Sequence, residues 1–217
     1  MVFRDRFEAG EQLADVLAQR GLHDPVVLAL PRGGVPVASV VARRLGAPLD
    51  VLVVRKVGVP GHEELGLGAI SEGSKVVVDD GVTHATGVSA DEFERLAERE
   101  LVELRRRVAT YRGDRALPDL TGRDVVIVDD GIATGATARA AVMTARDRAA
   151  RRVVVAAPVG AADSVAGLQD VADEVVCLRT PRGFAAVGLE YEHFDQTTDG
   201  EVLELLDRAR RAPAGQG

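Results

Sequence analysis

Short Val-rich runs recur along the chain at 26–30, 51–54, 125–128, 153–157 and 174–178. Between them lie Ala-, Arg- and Glu-rich segments whose apolar positions repeat with helical period, at 35–45, 135–149 and 163–171. Near-continuous apolar strands alternating with helices predict a mostly parallel sheet with helices on both faces, because a strand buried on both sides has no polar face to show. In an open sheet of this kind a ligand sits outside the carboxyl ends of the strands. The chemically distinctive residues of this chain do follow the strand runs.

The second and third runs are separated by a longer excursion. Residues 70–79 predict a short hairpin around Glu72-Gly73. Ser89, with Glu92 three residues on, has the form of a capping box. The helix it opens carries Phe93, Ala97, Leu101, Leu104 and Val108 on one face, with Glu and Arg elsewhere. That stripe predicts packing on the domain or against a second subunit, so a homodimer is one expectation. The chain reads as one domain over 1–211, with an insertion at about 70–115 and a disordered tail at 212–217. No repeat of solenoid length is found.

Composition narrows the picture. Hydrophobic residues make up 46% of the 217, with seven aromatics and no Trp, so the core must be built from Val, Leu, Ile and Ala. A formal charge of −7 argues against general affinity for nucleic acid or an anionic membrane. Cys177 is the single cysteine, which excludes an intrachain disulfide; it lies in an apolar run and reads as an inert thiol. The first eight residues resemble neither a signal peptide nor a transit peptide, and no window has the apolar length of a membrane span. A cytoplasmic location is expected.

The most informative stretch is 125–137, Val-Val-Ile-Val-Asp-Asp-Gly-Ile-Ala-Thr-Gly-Ala-Thr. Four apolar residues form a buried strand, and two carboxylates, Asp129 and Asp130, follow where the chain leaves the core. Gly131, Ile132, Ala133, Thr134, Gly135, Ala136 and Thr137 then lead into an Ala-rich helix. Backbone N–H groups at a helix start hold a phosphate well, and the Thr134 and Thr137 hydroxyls add donors. Carboxylates would repel phosphate; they suit vicinal hydroxyls and a hydrated Mg2+. An upstream echo, Lys75 to Gly81, repeats the strand and two acids but lacks Thr-Gly-x-Thr, and reads as a strand end and turn.

Strand, two acids, Thr-Gly-x-Thr and helix together closely resemble the phosphoribosyl pyrophosphate (PRPP) signature of type I phosphoribosyltransferases. The resemblance implies the fold of that family, with a small hood at about 179–198 over the acceptor. It also implies that Asp129 and Asp130 hold the ribose hydroxyls and, through water, Mg2+, while 131–137 anchors the 5-phosphate. After the first strand, Leu30-Pro31-Arg32-Gly33-Gly34 resembles the pyrophosphate loop of xanthine–guanine enzymes: Arg32 for bidentate contacts, Gly33 and Gly34 for exposed amides. Arg55-Lys56, at the expected end of the second strand, resembles the entrance to the mobile catalytic loop of adenine and orotate enzymes. The Gly-rich 57–68 that follows has the composition of a lid.

By this resemblance the chain transfers phosphoribose from PRPP to a small nitrogenous base, with Mg2+ as cofactor and Arg32, Arg55 and Lys56 steadying the departing pyrophosphate. Hypoxanthine–guanine enzymes have an Asp where this chain has Ala133, which leans the acceptor toward the adenine or orotate pattern. Glu63 or Glu64 is a candidate base. Phe184, Tyr191 and Phe194, close together in the hood, either stack on the acceptor or pack the subdomain, and His193 reads as structural. The layout from 26 to 206 resembles bacterial phosphoribosyltransferase-like proteins of unassigned substrate. The alternatives are a regulator that senses PRPP or a nucleotide and binds nucleic acid, and a dimeric scaffold with a relic site.

Overall fold

The computed structural model describes residues 2–59, 62–72, 76–78 and 80–211, with 62–65, 76–78 and 80–82 by backbone alone. Five strands form a parallel sheet: β1 (Val26–Ala29), β2 (Leu49–Val51), β6 (Asp124–Val128), β7 (Arg152–Val159) and β8 (Glu174–Arg179), in spatial order β2-β1-β6-β7-β8. β1 leads outward to β2 on one side, and β6 leads outward to β7 and β8 on the other. The order therefore reverses between β1 and β6, and the crevice at their carboxyl ends is the topological switch point where such sheets bind ligands.

The alternation of side chains explains why every strand is apolar throughout. Val27, Ala29, Val126, Val128, Val154 and Ala156 face one core, which α1 (Arg6–Leu17), α2 (Gly34–Leu45) and α7 (Asp199–Arg211) close. Val26, Leu28, Val125, Ile127, Val153 and Val155 face the other, closed by α5 (Ala136–Asp147). α6 (Ala162–Leu168) lies beside β8. All twelve strand residues are 1% exposed or less, as burial on two faces requires.

The run at 51–54 is not one strand. β2 ends at Val51, and Val54 opens a second, antiparallel sheet of β3 (Val54–Val59), β4 (His62–Ser71) and β5 (Val76–Val78). The predicted hairpin around Glu72-Gly73 is the β4–β5 pair, with Ile70 opposite Val76; residues 73–75 lie outside the described residues. The excursion from the core sheet thus begins at 54 and continues through α3 (Asp80–Thr86) and α4 (Ala90–Arg112). The upstream echo at 75–81 contains the whole of β5 and, where a turn is expected, the start of α3, with Lys75 and Asp79 outside the described residues.

α4 is capped as expected, the Ser89 hydroxyl accepting from Glu92 N–H at 3.2 Å. Phe93, Ala97 and Leu104 are buried against the domain, with Leu101 and Val108 packed beside them. An ion network fastens the end of this helix. Arg112, 4% exposed, donates to both carboxylate oxygens of Glu72 (2.5 and 2.9 Å), to Val51 O (2.6 Å) and more distantly to Asp50 (3.4 Å). Val53 N–H also donates to Glu72. The same few atoms join β2, the end of β4 and α4, so the added sheet is locked to the core where it leaves it.

Candidate active site

Two loops meet at the switch point. The first, after β1, runs through Pro31, Arg32 and Gly33, and the Pro31–Arg32 peptide bond is cis. The second, after β6, begins with Asp129 and Asp130. A Cβ on Gly33 would stand 2.0 Å from Oδ2 of Asp130; only a residue without a side chain lets the loops come this close. Gly34 N–H donates to Leu30 O and Val35 N–H to Arg32 O, at 3.1 Å each. The expectation of two exposed glycine amides is corrected at Gly34, whose N–H closes the loop.

The acid pair is deeply set. Burial, and then the neighbouring charge of Asp130, push the Asp129 carboxyl well above the usual carboxylate range. Burial also raises Asp130, but Arg6 opposes it. Arg6 Nε donates to Asp130 Oδ2 at 2.8 Å, with the two side chains 11% and 14% exposed. Asp130 N–H donates to Asp129 Oδ1 at 2.9 Å, and the Tyr191 hydroxyl donates to Asp130 O at 2.6 Å.

Beyond the acids, Gly131 lies against Val187 of a 3-10 turn (Val187–Glu190), where an added Cβ would meet that side chain at 2.5 Å. Ile132 is buried and bridges to Gly160. Ala133 and Thr134 are exposed, and Gly135, Ala136 and Thr137 are partly so. Gly135 has φ 77° and caps α5 without a side-chain bond, so the first-turn amides of a twelve-residue helix open beside Thr134 and Thr137.

Arg55 and Lys56 lie inside β3, not at the end of a core strand, and the Gly-rich 57–68 is a β-hairpin rather than a loop. β3 and β4 pair antiparallel from Val54↔Ser71 to Val59↔His62, with register shifts around Gly58. The glycine-rich composition gives way to ladder pairing on either side of residues 60–61, which lie outside the described residues. Successive strand residues point to opposite faces. Arg55 accordingly pairs with Glu100 of α4 (2.7 Å), while Lys56 runs over Gly66 on the face shared with Val54, which packs into the α5-side core. The side chains of Glu63 and Glu64 are not among those described.

The hood aromatics brace the acid pair. Tyr191 lies between Phe3 and Phe194, with ring centroids 5.6 and 5.1 Å away, and the Arg6 guanidinium sits 3.8 Å from the Phe194 centroid while donating to Asp195 O. Phe184 packs on the same cluster. His193 makes a backbone bond to Arg4 O. Cys177 is half-buried, and burial pushes its thiol up to about 11, in keeping with an inert role. Among the described residues no three His, Cys, Asp or Glu side chains converge as a metal cage, and no helix is long and apolar enough to cross a membrane.

Sequence reasoning missed Arg6 and Tyr191 as partners of Asp130. Asp5, three residues before Glu8 and ahead of the apolar stripe Ala9, Leu13 and Leu17, signals the start of α1, and its carboxylate does accept from Glu8 N–H at 2.8 Å. Nothing local signals the partner 124 positions away.

Known proteins resemble the chain in fold or in sequence. A crystal structure of TT1426 from Thermus thermophilus is 48% identical, with a TM-score of 0.83 over 95% of this chain and 98% of that one. The AQ2163 protein of Aquifex aeolicus, 13% identical over 81% of this chain and 74% of that one at TM-score 0.52, shares the fold alone. A provisionally named phosphoribosyl transferase of Mycobacterium tuberculosis strain H37Rv is 53% identical over the whole chain, which spans 49% of that protein's length. The family profile for the phosphoribosyl transferase domain matches residues 6–192. The chain belongs to the phosphoribosyl transferase domain family.

Proposed function

We propose that the chain transfers phosphoribose from PRPP to a small nitrogenous base, with Mg2+ and with release of pyrophosphate. The observation that carries this reading is the contact of the Arg32-Gly33 loop with Asp129-Asp130 at the switch point, because the two ends of one donor molecule need both. The amides and hydroxyls at 134–137 hold the 5-phosphate. Asp129 and Asp130 accept from the ribose hydroxyls. Arg32, with the amides of Arg32 and Gly33, grips the pyrophosphate.

Two neighbouring carboxylates, with no third His, Cys, Asp or Glu converging on them among the described residues, fit Mg2+, which keeps waters and substrate oxygens in its shell. When bound, it supplies positive charge to the leaving pyrophosphate. The protein's own work is positioning and electrostatics: Arg6 holds Asp130 in place, Tyr191 fixes the Asp130 backbone, and Arg32 receives the charge that develops as the C1–O bond breaks. Lys56 and Arg55 are assigned to the same departing charge, from opposite faces of β3. Ala133 leaves no carboxyl at the position that serves 6-oxopurine enzymes, so adenine- or orotate-like bases head the acceptor panel.

The test is pyrophosphate release from Mg·PRPP across purine and pyrimidine bases. A base-dependent release is expected. Absence of release with every base, while PRPP still binds, would assign the protein to sensing rather than transfer.

A further inference from the structure

Arg32 has a neighbour that a pyrophosphate grip does not require. Its Nη1 lies 3.6 Å from Oδ1 of Asp199, the first residue of α7 and outside the 6–192 span matched by the family. The same Oδ1 accepts a 2.6 Å hydrogen bond from the Tyr111 hydroxyl. Tyr111 is 2% exposed, and burial followed by the hydrogen bond to Asp199 pushes its phenol up to about 12, so it stays a donor at neutral pH. Asp199 is thus fixed from behind by a rigid donor and faces the guanidinium in front. At 3.6 Å the pair attracts without a hydrogen bond of normal length, which leaves the Arg32 donors free to turn to a phosphate.

We propose that Asp199 is an intramolecular competitor for Arg32, which neutralises the guanidinium in the free protein and weakens its hold on pyrophosphate. This rests on the assignment of the Arg32 loop to pyrophosphate. A fixed carboxylate beside that loop repels an incoming polyanion and gives Arg32 an alternative partner as the product leaves. It acts on free pyrophosphate and on the pyrophosphate end of PRPP alike. The consequence is in affinity and product release rather than in bond breaking.

Calorimetric titration of Mg·pyrophosphate into the intact protein and three variants tests this. Asp199→Asn keeps an acceptor for Tyr111 and removes the charge; its Kd should fall about three- to tenfold, a range reduced by the partial exposure of both side chains. Tyr111→Phe frees Asp199 from its anchor and should tighten binding by less. Asp207→Asn, on the same helix but paired with Arg210, should leave Kd unchanged. Unchanged or weaker binding in Asp199→Asn overturns the proposal, as does equal tightening in Asp207→Asn. If Asp199→Asn does not fold, Tyr111→Phe decides, and unchanged affinity there overturns it. A wild-type protein that binds no pyrophosphate overturns this proposal and the assigned function together; wild-type binding that Asp199→Asn leaves unaltered overturns this proposal alone.

Discussion

Arg6 Nε meets Asp130 Oδ2 at 2.8 Å across 124 positions of sequence, so the first residue of α1 supplies the cation that steadies one of the two neighbouring carboxylates at the switch point. Removing one partner of a largely buried pair leaves the other charged and unsolvated. Arg6→Gln should cost about 2 kcal/mol, a fall in Tm of roughly 4–8 °C for a domain of this size, and should weaken Mg·PRPP binding. Arg6→Lys should recover only part of both, since an ammonium cannot span Asp130 and Asp195 O with a planar fork. Thermal unfolding and calorimetry on the two variants check this.

Asp129 carries the opposite signature. Its carboxyl titrates well above the ordinary range, through burial and then Asp130, whereas in the unfolded chain it titrates near the usual value of about 3.9. Above that pH the native state holds a proton that the unfolded state has lost, so stability falls with rising pH until the raised native value is passed. Asp129→Asn removes this cost and keeps an acceptor for Asp130 N–H. The variant should match wild type below about pH 4 and melt higher at pH 7, by roughly 2–4 °C, while losing donor binding. Denaturation curves of both proteins across pH are the measurement.

Gly33 separates fold from site. A methyl group there would stand 2.0 Å from Asp130 Oδ2, and the movable carboxylate would yield first. Gly33→Ala should lower Tm by no more than roughly 4 °C and reduce PRPP affinity at least about tenfold, near 1.4 kcal/mol. Circular dichroism melts and titrations on one preparation separate the two effects.

Arg112 is the counterpart for the added sheet. Arg112→Met would strand Glu72 and Asp50, both under 9% exposed, at a cost of about 3–5 kcal/mol. Equilibrium denaturation in urea measures this.

The contrast among these residues shows what local sequence carries. The strand, loop and helix start from Val125 to Thr137 were legible because they are consecutive, and each step follows from local chemistry. The parallel sheet was legible because burial on two faces forces unbroken Val-rich runs. Arg55-Lys56, expected at the end of a core strand, lies in a separate antiparallel sheet, because strand pairing depends on a partner segment that local sequence does not report. Arg6, Tyr191 and Arg112 were invisible as partners. Their meaning lies in where α1, the hood and α4 dock, and no periodicity reports that.

The most direct test is a calorimetric titration of Mg·PRPP into wild type and into Asp129→Asn/Asp130→Asn. One site per chain in the wild type, lost in the double variant with its fold intact, is the predicted result. Absence of binding in the wild type, or equal binding in both proteins, would contradict the assignment of Asp129 and Asp130 to the donor.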